Sequence, residues 1–283
     1  MGSVCSCREA PQQSEIEEQN TVSINYYSQD KQEQYKNSNH ATSNNDNQYN
    51  ENQDIQVCNE TLPSTKYKDE EIAKKPPYHY PNGDIYEGEW KGEVRHGFGT
   101  IKFKDGKKYE GQWSKDQCNG EGILYHVDGD VYKGNFIDNV ASGLGEYTSK
   151  TNGYKYKGEW KDDQRHGKGE EVWEDGTQYT GQFVMGQKNG QGLIYYKDGS
   201  LYEGGFKNDK FDGEGTYKWA DGRIYEGQFK NGLFDGKGKY IWPEGKTYKG
   251  EFKSGKQNGK GLQTTESGEI LEGQWEEGIF IKS

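Results

Sequence analysis

Gly2, Cys5 and Cys7 are the residues of this 283-residue chain whose type and spacing could do covalent chemistry. The start Met1-Gly2-Ser3-Val4-Cys5-Ser6-Cys7 fits the N-myristoylation pattern, in which loss of Met1 exposes Gly2 and a serine stands at Ser6. One myristoyl chain holds a membrane only marginally, with an association constant of about 10⁴ M⁻¹, so stable anchoring takes a second signal. A basic patch would serve, but only Arg8 comes before Glu9 and the run Glu15-Ile16-Glu17-Glu18. Thioacylation of Cys5 and Cys7 is therefore the expected second signal, and the three residues read as lipidation sites. The plain alternative is an ordinary chain start with incidental cysteines.

Other reactive patterns are missing from the sequence. It contains no phosphate loop with a following Lys-Ser/Thr, no His-Glu-x-x-His, no calcium loop and no nucleophile elbow. His96 and His166 share an offset occupied elsewhere by Asn119, Ser142, Asn189, Asp212, Asp235 and Asn258, which is turn chemistry before a glycine. Carboxylates recur at fixed offsets and read as solvated strand faces. Cys58 and Cys118 have no partner by spacing, and the four cysteines form neither a disulfide framework nor a zinc pattern. The expectation is a non-enzyme with no catalytic residue, no metal and no cofactor. The net charge of −11 is spread along the chain without a basic stripe, which argues against nucleic acid. No apolar run is long enough for a transmembrane helix or a signal peptide.

The elements that would position any binding surface announce themselves by repetition. The motif Tyr-x-Gly-x-aromatic starts at Tyr86, Tyr109, Tyr132, Tyr156, Tyr179, Tyr202, Tyr225 and Tyr248, with a copy lacking Tyr at Leu271. Its third partner is Trp90, Trp113, Phe136, Trp160, Phe183, Phe206, Phe229, Phe252 and Trp275 in turn. Each step is 23 residues except one of 24, where 148–153 carries an extra residue. A second half follows in each unit, with a glycine pair such as Gly97-Phe98-Gly99 and then a short apolar run. Turn pairs such as Asp105-Gly106 and Asp128-Gly129 close the unit, and Asp-Gly between alternating runs is a strong hairpin signal.

Period-two spacing puts Tyr, Gly and Trp/Phe on one face of a strand. Glycine in a strand marks a place where another group approaches closely, here an aromatic ring. Leu, Ile, Val and Phe number only 8, 14, 9 and 10, a composition that alone would suggest disorder. The 22 Tyr and 7 Trp, recurring in register, replace the missing aliphatics. The predicted fold is all-β: an elongated single-layer antiparallel sheet of tandem β-hairpin repeats, solenoid-like, behind a disordered N-terminal arm. At roughly 4.8 Å per strand, eight repeats would span on the order of 75–80 Å.

This pattern resembles the MORN (membrane occupation and recognition nexus) family, whose repeat runs Tyr-x-Gly-x-Trp/Phe, a polar loop, then Gly-x-Gly and a strand. The segments Trp90-Lys91 to Gly97-Phe98-Gly99 and Trp160-Lys161 to Gly167-Lys168-Gly169 lie close to it. The resemblance implies a structural organiser or assembly platform, and in some relatives lipid contact or association with lipid-kinase domains.

The expected organisation is a lipid-anchor segment at 1–7, a Gln/Asn-rich tether at 8–77 and a repeat array at 78–283. Within the array, 78–85 reads as a half repeat, 86–270 as eight repeats and 271–283 as a partial cap. A short helix over 64–75, before Pro76-Pro77, is an open alternative in the tether. The functional expectation is a membrane-anchored scaffold at the cytoplasmic face. It would bind a protein partner through the ladder Tyr86, Trp90, Tyr109, Trp113, Tyr132, Phe136, Tyr156, Trp160, Tyr179, Phe183, Tyr202, Phe206, Tyr225, Phe229, Tyr248 and Phe252, linking membrane to cytoskeletal or ciliary structures. Alternatives are a phosphoinositide reader and a trans-acting partner of a lipid kinase; homodimers through sheet edges are also open.

Overall fold

The computed structural model describes residues 71–282. Expectations for Gly2, Cys5, Cys7 and the tether through residue 70 lie outside the described residues. Nineteen strands run from Ile72 to Lys282 and form one sheet. Each pairs antiparallel with its neighbour in sequence, from Ile72–His79 against Ile85–Lys91 to Ile270–Glu276 against Ile279–Lys282. The all-β reading holds.

The opening strand Ile72–His79 begins ahead of residue 78, and Ile72–Lys75 is extended rather than helical. Pro76 and Pro77 sit where its register shifts. Proline is tolerated at a sheet edge or a bulge because no ladder hydrogen bond is asked of it there. The proline pair therefore interrupts this strand without ending it.

The register explains the period. Glycines oppose glycines across the sheet, Gly88 against Gly99, Gly99 against Gly111, Gly111 against Gly122, and so on to Gly261 against Gly273. Above this row lies the Tyr ring of the same hairpin. A Cβ on Gly99 would stand 2.2 Å from the Tyr86 hydroxyl, and one on Gly88 would stand 2.4 Å from the Gly99 Cα. Only glycine leaves the ring room to lie down on the backbone.

The hydroxyl then reaches a carbonyl three residues on: Tyr86 donates to Glu89 O at 2.9 Å, Tyr156 to Glu159 O at 2.8 Å and Tyr225 to Gln228 O at 2.8 Å. The polar tip of each tyrosine is thus satisfied while its ring is buried.

Each tyrosine ring meets two indoles or phenyls edge-on. Tyr86 lies 5.1 Å from Trp90 in its own repeat and 5.3 Å from Trp113 in the next. The pattern continues through Tyr109–Phe136 at 5.1 Å and Tyr132–Trp160 at 5.1 Å to Tyr248–Trp275 at 5.1 Å. Edge-to-face pairs add about 0.5–1.5 kcal/mol each beyond burial. The core is this unbroken ladder on one face.

Two kinds of turn join the strands. One is the Asp-Gly turn, where Asp105 Oδ1 accepts from Lys107 N at 3.0 Å. The other is a two-residue hairpin with both residues at positive φ, as at Lys115 (52°) and Asp116 (67°). The Asp116 carboxylate reaches back to accept from Arg95 N at 2.8 Å, while its own N–H donates to Arg95 O at 3.1 Å. Asn139, Asp163 and Asp209 repeat this on Cys118, Ala141 and Lys188, each at 2.8 Å. Every such turn is tied to the hairpin before it.

Candidate partner-binding surface

The ladder rings named from the sequence are at most 8 % exposed, and the eight tyrosines at most 1 %. They pack the sheet, so a partner on this face meets other residues first. Those residues come from the second strand of each repeat, at three positions sharing the ladder face. The first lies opposite the Trp/Phe and carries Arg95, Cys118, Ala141, Arg165, Lys188, Phe211, Phe234 and Gln257. The second lies opposite the Tyr, and the third precedes the Asp-Gly turn.

In the sixth and seventh repeats all three are aromatic. Phe211 stacks flat on Tyr202 at 3.7 Å and Phe234 on Tyr225 at 3.9 Å. Beyond them a line of half-buried rings runs Tyr196, Tyr217, Trp219, Tyr240, Trp242, with centroid steps of 6.1, 4.6, 5.4 and 4.4 Å. Trp173 occupies the equivalent pre-turn position one repeat earlier. Cations lie over the indoles: Lys188 over Trp173 at 4.7 Å, Arg223 over Trp219 at 5.0 Å and Lys246 over Trp242 at 4.5 Å. Burial pushes the Tyr217 hydroxyl up to about 12 and raises Tyr240 as well. These phenols are neutral hydrogen-bonding groups at neutral pH.

The middle of the array differs. Glu171 takes the place of the Ile, Leu, Tyr or Gln found opposite other ladder tyrosines and is 0 % exposed. The expectation of solvated carboxylates fails here and at Asp130, 8 % exposed, because both point to the ladder face and find partners there. Tyr154 donates to Glu171 Oε1 at 2.6 Å, Arg165 binds the same oxygen, and Lys188 Nζ lies 2.8 Å from Oε2. Arg165 also donates to Tyr154 Oη at 2.7 Å and to Gly186 O. Tyr154, which follows the extra residue of 148–153, lies in the core and is 5 % exposed. Burial and the neighbouring Glu171 carboxylate hold its hydroxyl protonated.

Asp130 likewise accepts from Tyr147, from Ser149 Oγ at 3.1 Å and from Lys150 N at 2.9 Å. Burial pushes the Cys118 thiol up to about 12, so it is not a poised nucleophile. Among the described residues, no group of three or more His, Cys, Asp or Glu is gathered to hold a metal. Nor is any helix there long and apolar enough to cross a membrane.

The opposite face is polar. A shallow concavity of about 900 Å³ lies there over glycines of the C-terminal repeats, lined by Glu203, Glu226, Lys239, Lys249, Glu251 and Lys260 among others. No ladder ring reaches it.

A meander of similar hairpins whose core is a repeated ring ladder defines a β-hairpin repeat protein. Comparison with protein families finds the MORN repeat at residues 86–108, 109–131, 132–154, 156–178, 179–201, 202–222, 225–247 and 248–270, and the chain belongs to the MORN repeat family. Comparison with curated proteins finds no match.

Among solved structures, the chain is similar to the TCP10 domain of Danio rerio CPAP in complex with a peptide of Danio rerio STIL. Identity is 12 %, coverage 72 % of this chain and 100 % of that one, and the TM-score 0.41. It is also similar to the SAS-4 (dCPAP) TCP domain of Drosophila melanogaster in complex with a proline-rich motif of Ana2, at 14 % identity, 64 % and 90 % coverage and a TM-score of 0.35. TM-scores this low carry no argument about partners.

Proposed function

We propose that this protein is a non-catalytic scaffold that binds a protein partner across the ladder face of its C-terminal repeats. Acyl chains on Gly2, Cys5 and Cys7 hold it at the cytoplasmic face of a membrane, and its partner belongs to a cytoskeletal or ciliary structure. The observation that carries the binding half is the line of half-buried rings from Tyr196 to Trp242, which the ladder itself does not need. Aromatics presented this way are the usual anchors of protein interfaces. The membrane half is supported by the spacing of Gly2, Cys5 and Cys7 alone.

Imaging a tagged Gly2→Ala variant beside the wild type tests the anchor: the variant should leave the membrane, and unchanged retention overturns that half. A second reading, contact with phosphoinositide headgroups, has one observation in its favour. Lys239 lies directly opposite Lys249 on the polar face, with Lys260 in the same concavity. Glu226 and Glu251 line the same space and oppose an anion there. Salt-sensitive binding of the unacylated chain to phosphoinositide vesicles, lost in Lys249→Glu, would promote it.

A further inference from the structure

The ring line carries more than a generic protein contact, because its spacing and its open polar groups define the chemistry of what fits. Trp173, Tyr196, Trp219 and Trp242 stand at one position of four successive repeats. Successive repeats are two strands apart, about 9.6 Å in the hydrogen-bonding direction. A polyproline II helix advances about 3.1 Å per residue with three residues per turn, so one turn covers about 9.3 Å. A segment in that conformation, lying across the strands, would set every third residue on the next repeat's ring. An α-helix has no such match, since its full turn is about 5.4 Å.

The polar groups agree. In the ladder, Trp113 donates to Gly99 O (3.0 Å) and Trp160 to Gly145 O (3.2 Å), whereas the buried Trp90 indole finds no acceptor among the described residues. The indoles of Trp173, Trp219 and Trp242 donate to no acceptor among the described residues. Polyproline II has no internal hydrogen bonds, so all its carbonyls are open to such donors. Charge narrows the choice further. The side chains lying over these indoles are all cations, and Lys246 has no ion pair among the described residues, whereas Arg223 is paired with Asp221 and Lys188 with Glu171. A cationic ligand, such as a methylated lysine in an aromatic cage, would be repelled by the cation that already lies beside each indole. A carboxylate near Lys246 would find a partner.

Resting on the scaffold reading above, we propose that the line from Trp173 to Trp242 is the docking site for an acidic, proline-rich segment of a partner protein, bound as a polyproline II helix across the strands. Pro rings stack on the half-buried aromatics, the indoles donate to the segment's carbonyls, and Lys246 takes a Glu or Asp side chain.

Fluorescence polarisation of labelled repeating peptides with the full chain tests this. Pro-Glu-Pro repeats should bind, and Gly-Glu-Gly and Pro-Lys-Pro repeats should each bind at least about tenfold more weakly, since one lacks the preformed helix and the other repels Lys246. Trp219→Phe and Trp242→Phe keep the ring and remove the donor; each should weaken Pro-Glu-Pro binding about fivefold. Lys246→Glu should bring the preference toward Pro-Lys-Pro. Phe103→Ala, at the same position in the first repeat, should leave binding unchanged. Near-ultraviolet circular dichroism confirms that each variant is folded.

Equal binding of the Gly and Pro peptides, or no loss in both Trp→Phe variants, overturns the inference. A photo-crosslinker at Lys197, beside the line, separates this failure from that of the scaffold reading. A captured partner joined through a segment without proline sinks the inference and keeps the scaffold; no captured protein in cells sinks both.

Discussion

Repeats one to three and repeats six and seven share the same ladder and differ in what lies on top of it. Opposite the ladder Trp/Phe, the early repeats place Arg95, Cys118 and Ala141, whereas the later ones place Phe211 and Phe234. Before the Asp-Gly turn the early repeats carry Phe103, His126 and Ser149, and the later ones Trp219 and Trp242. Arg95 shows that an aromatic is not required for the fold, because its guanidinium lies over Trp113 at 4.3 Å and fills the same space. The difference teaches that the motif positions hold the sheet together and the positions between them are free to specify a partner.

The comparison breaks most readily at the ladder and at the charged joint between the two regions. Tyr109→Ala and Tyr225→Ala should each cost about 3–5 kcal/mol in urea unfolding, with similar losses at both ends if the ladder is truly common to them. Glu171→Ala strands Arg165 and Lys188 beside the core and should cost about 3 kcal/mol or more, read the same way. Phe234→Arg copies the early repeats onto a late one. It should destabilise less than Phe234→Ala, for which about 2 kcal/mol is expected at a half-buried site, and it would show the second layer to be exchangeable. Tyr86→Phe removes only the bond to Glu89 O, and about 1 kcal/mol is expected.

Alkali probes the whole ladder at once. The buried tyrosines, Tyr248 among them at about 12, hold their protons more tightly when folded than the ordinary value of 10.0. Their contribution is therefore complete below pH 10 and is lost as the pH rises toward 12 and beyond. Absorbance at the phenolate band should rise together with loss of near-ultraviolet dichroism; early, separate ionisation of the ladder tyrosines would contradict their burial.

How far the sequence alone could be read follows from the same division. The period exposed every ladder ring and the glycine beneath it, since these never vary in kind. Glu89, Gln112, Glu159 and Gln228 also had a repeated role that the motif left as an unspecified residue. Each accepts from a backbone N–H at the bulge, as Glu89 does from Phe98 N at 2.6 Å and Gln228 from Lys237 N at 2.9 Å. The positive-φ hairpins at Lys115-Asp116 and Asp138-Asn139 lacked the Asn-Gly signature and passed as polar loop. Pro76-Pro77 looked like a boundary, and only the register shows a strand continuing through it. The second layer was hidden for a deeper reason: a search for periodicity discards whatever changes from copy to copy, and Arg95, Glu171 and Phe234 are all changes.

Strict pairing of each strand with its chain neighbours has a consequence for how such a protein can be altered. Among the described residues no hairpin is sealed by a strand distant in sequence, so contacts are local and the array can be lengthened or shortened by whole units. Excising residues 109–131 would bring Lys108 to Tyr132, a junction of the kind every repeat already has. The sheet would close up by two strands with its ring line intact, which makes the number of copies a quantity that duplication and loss can tune without refolding the rest.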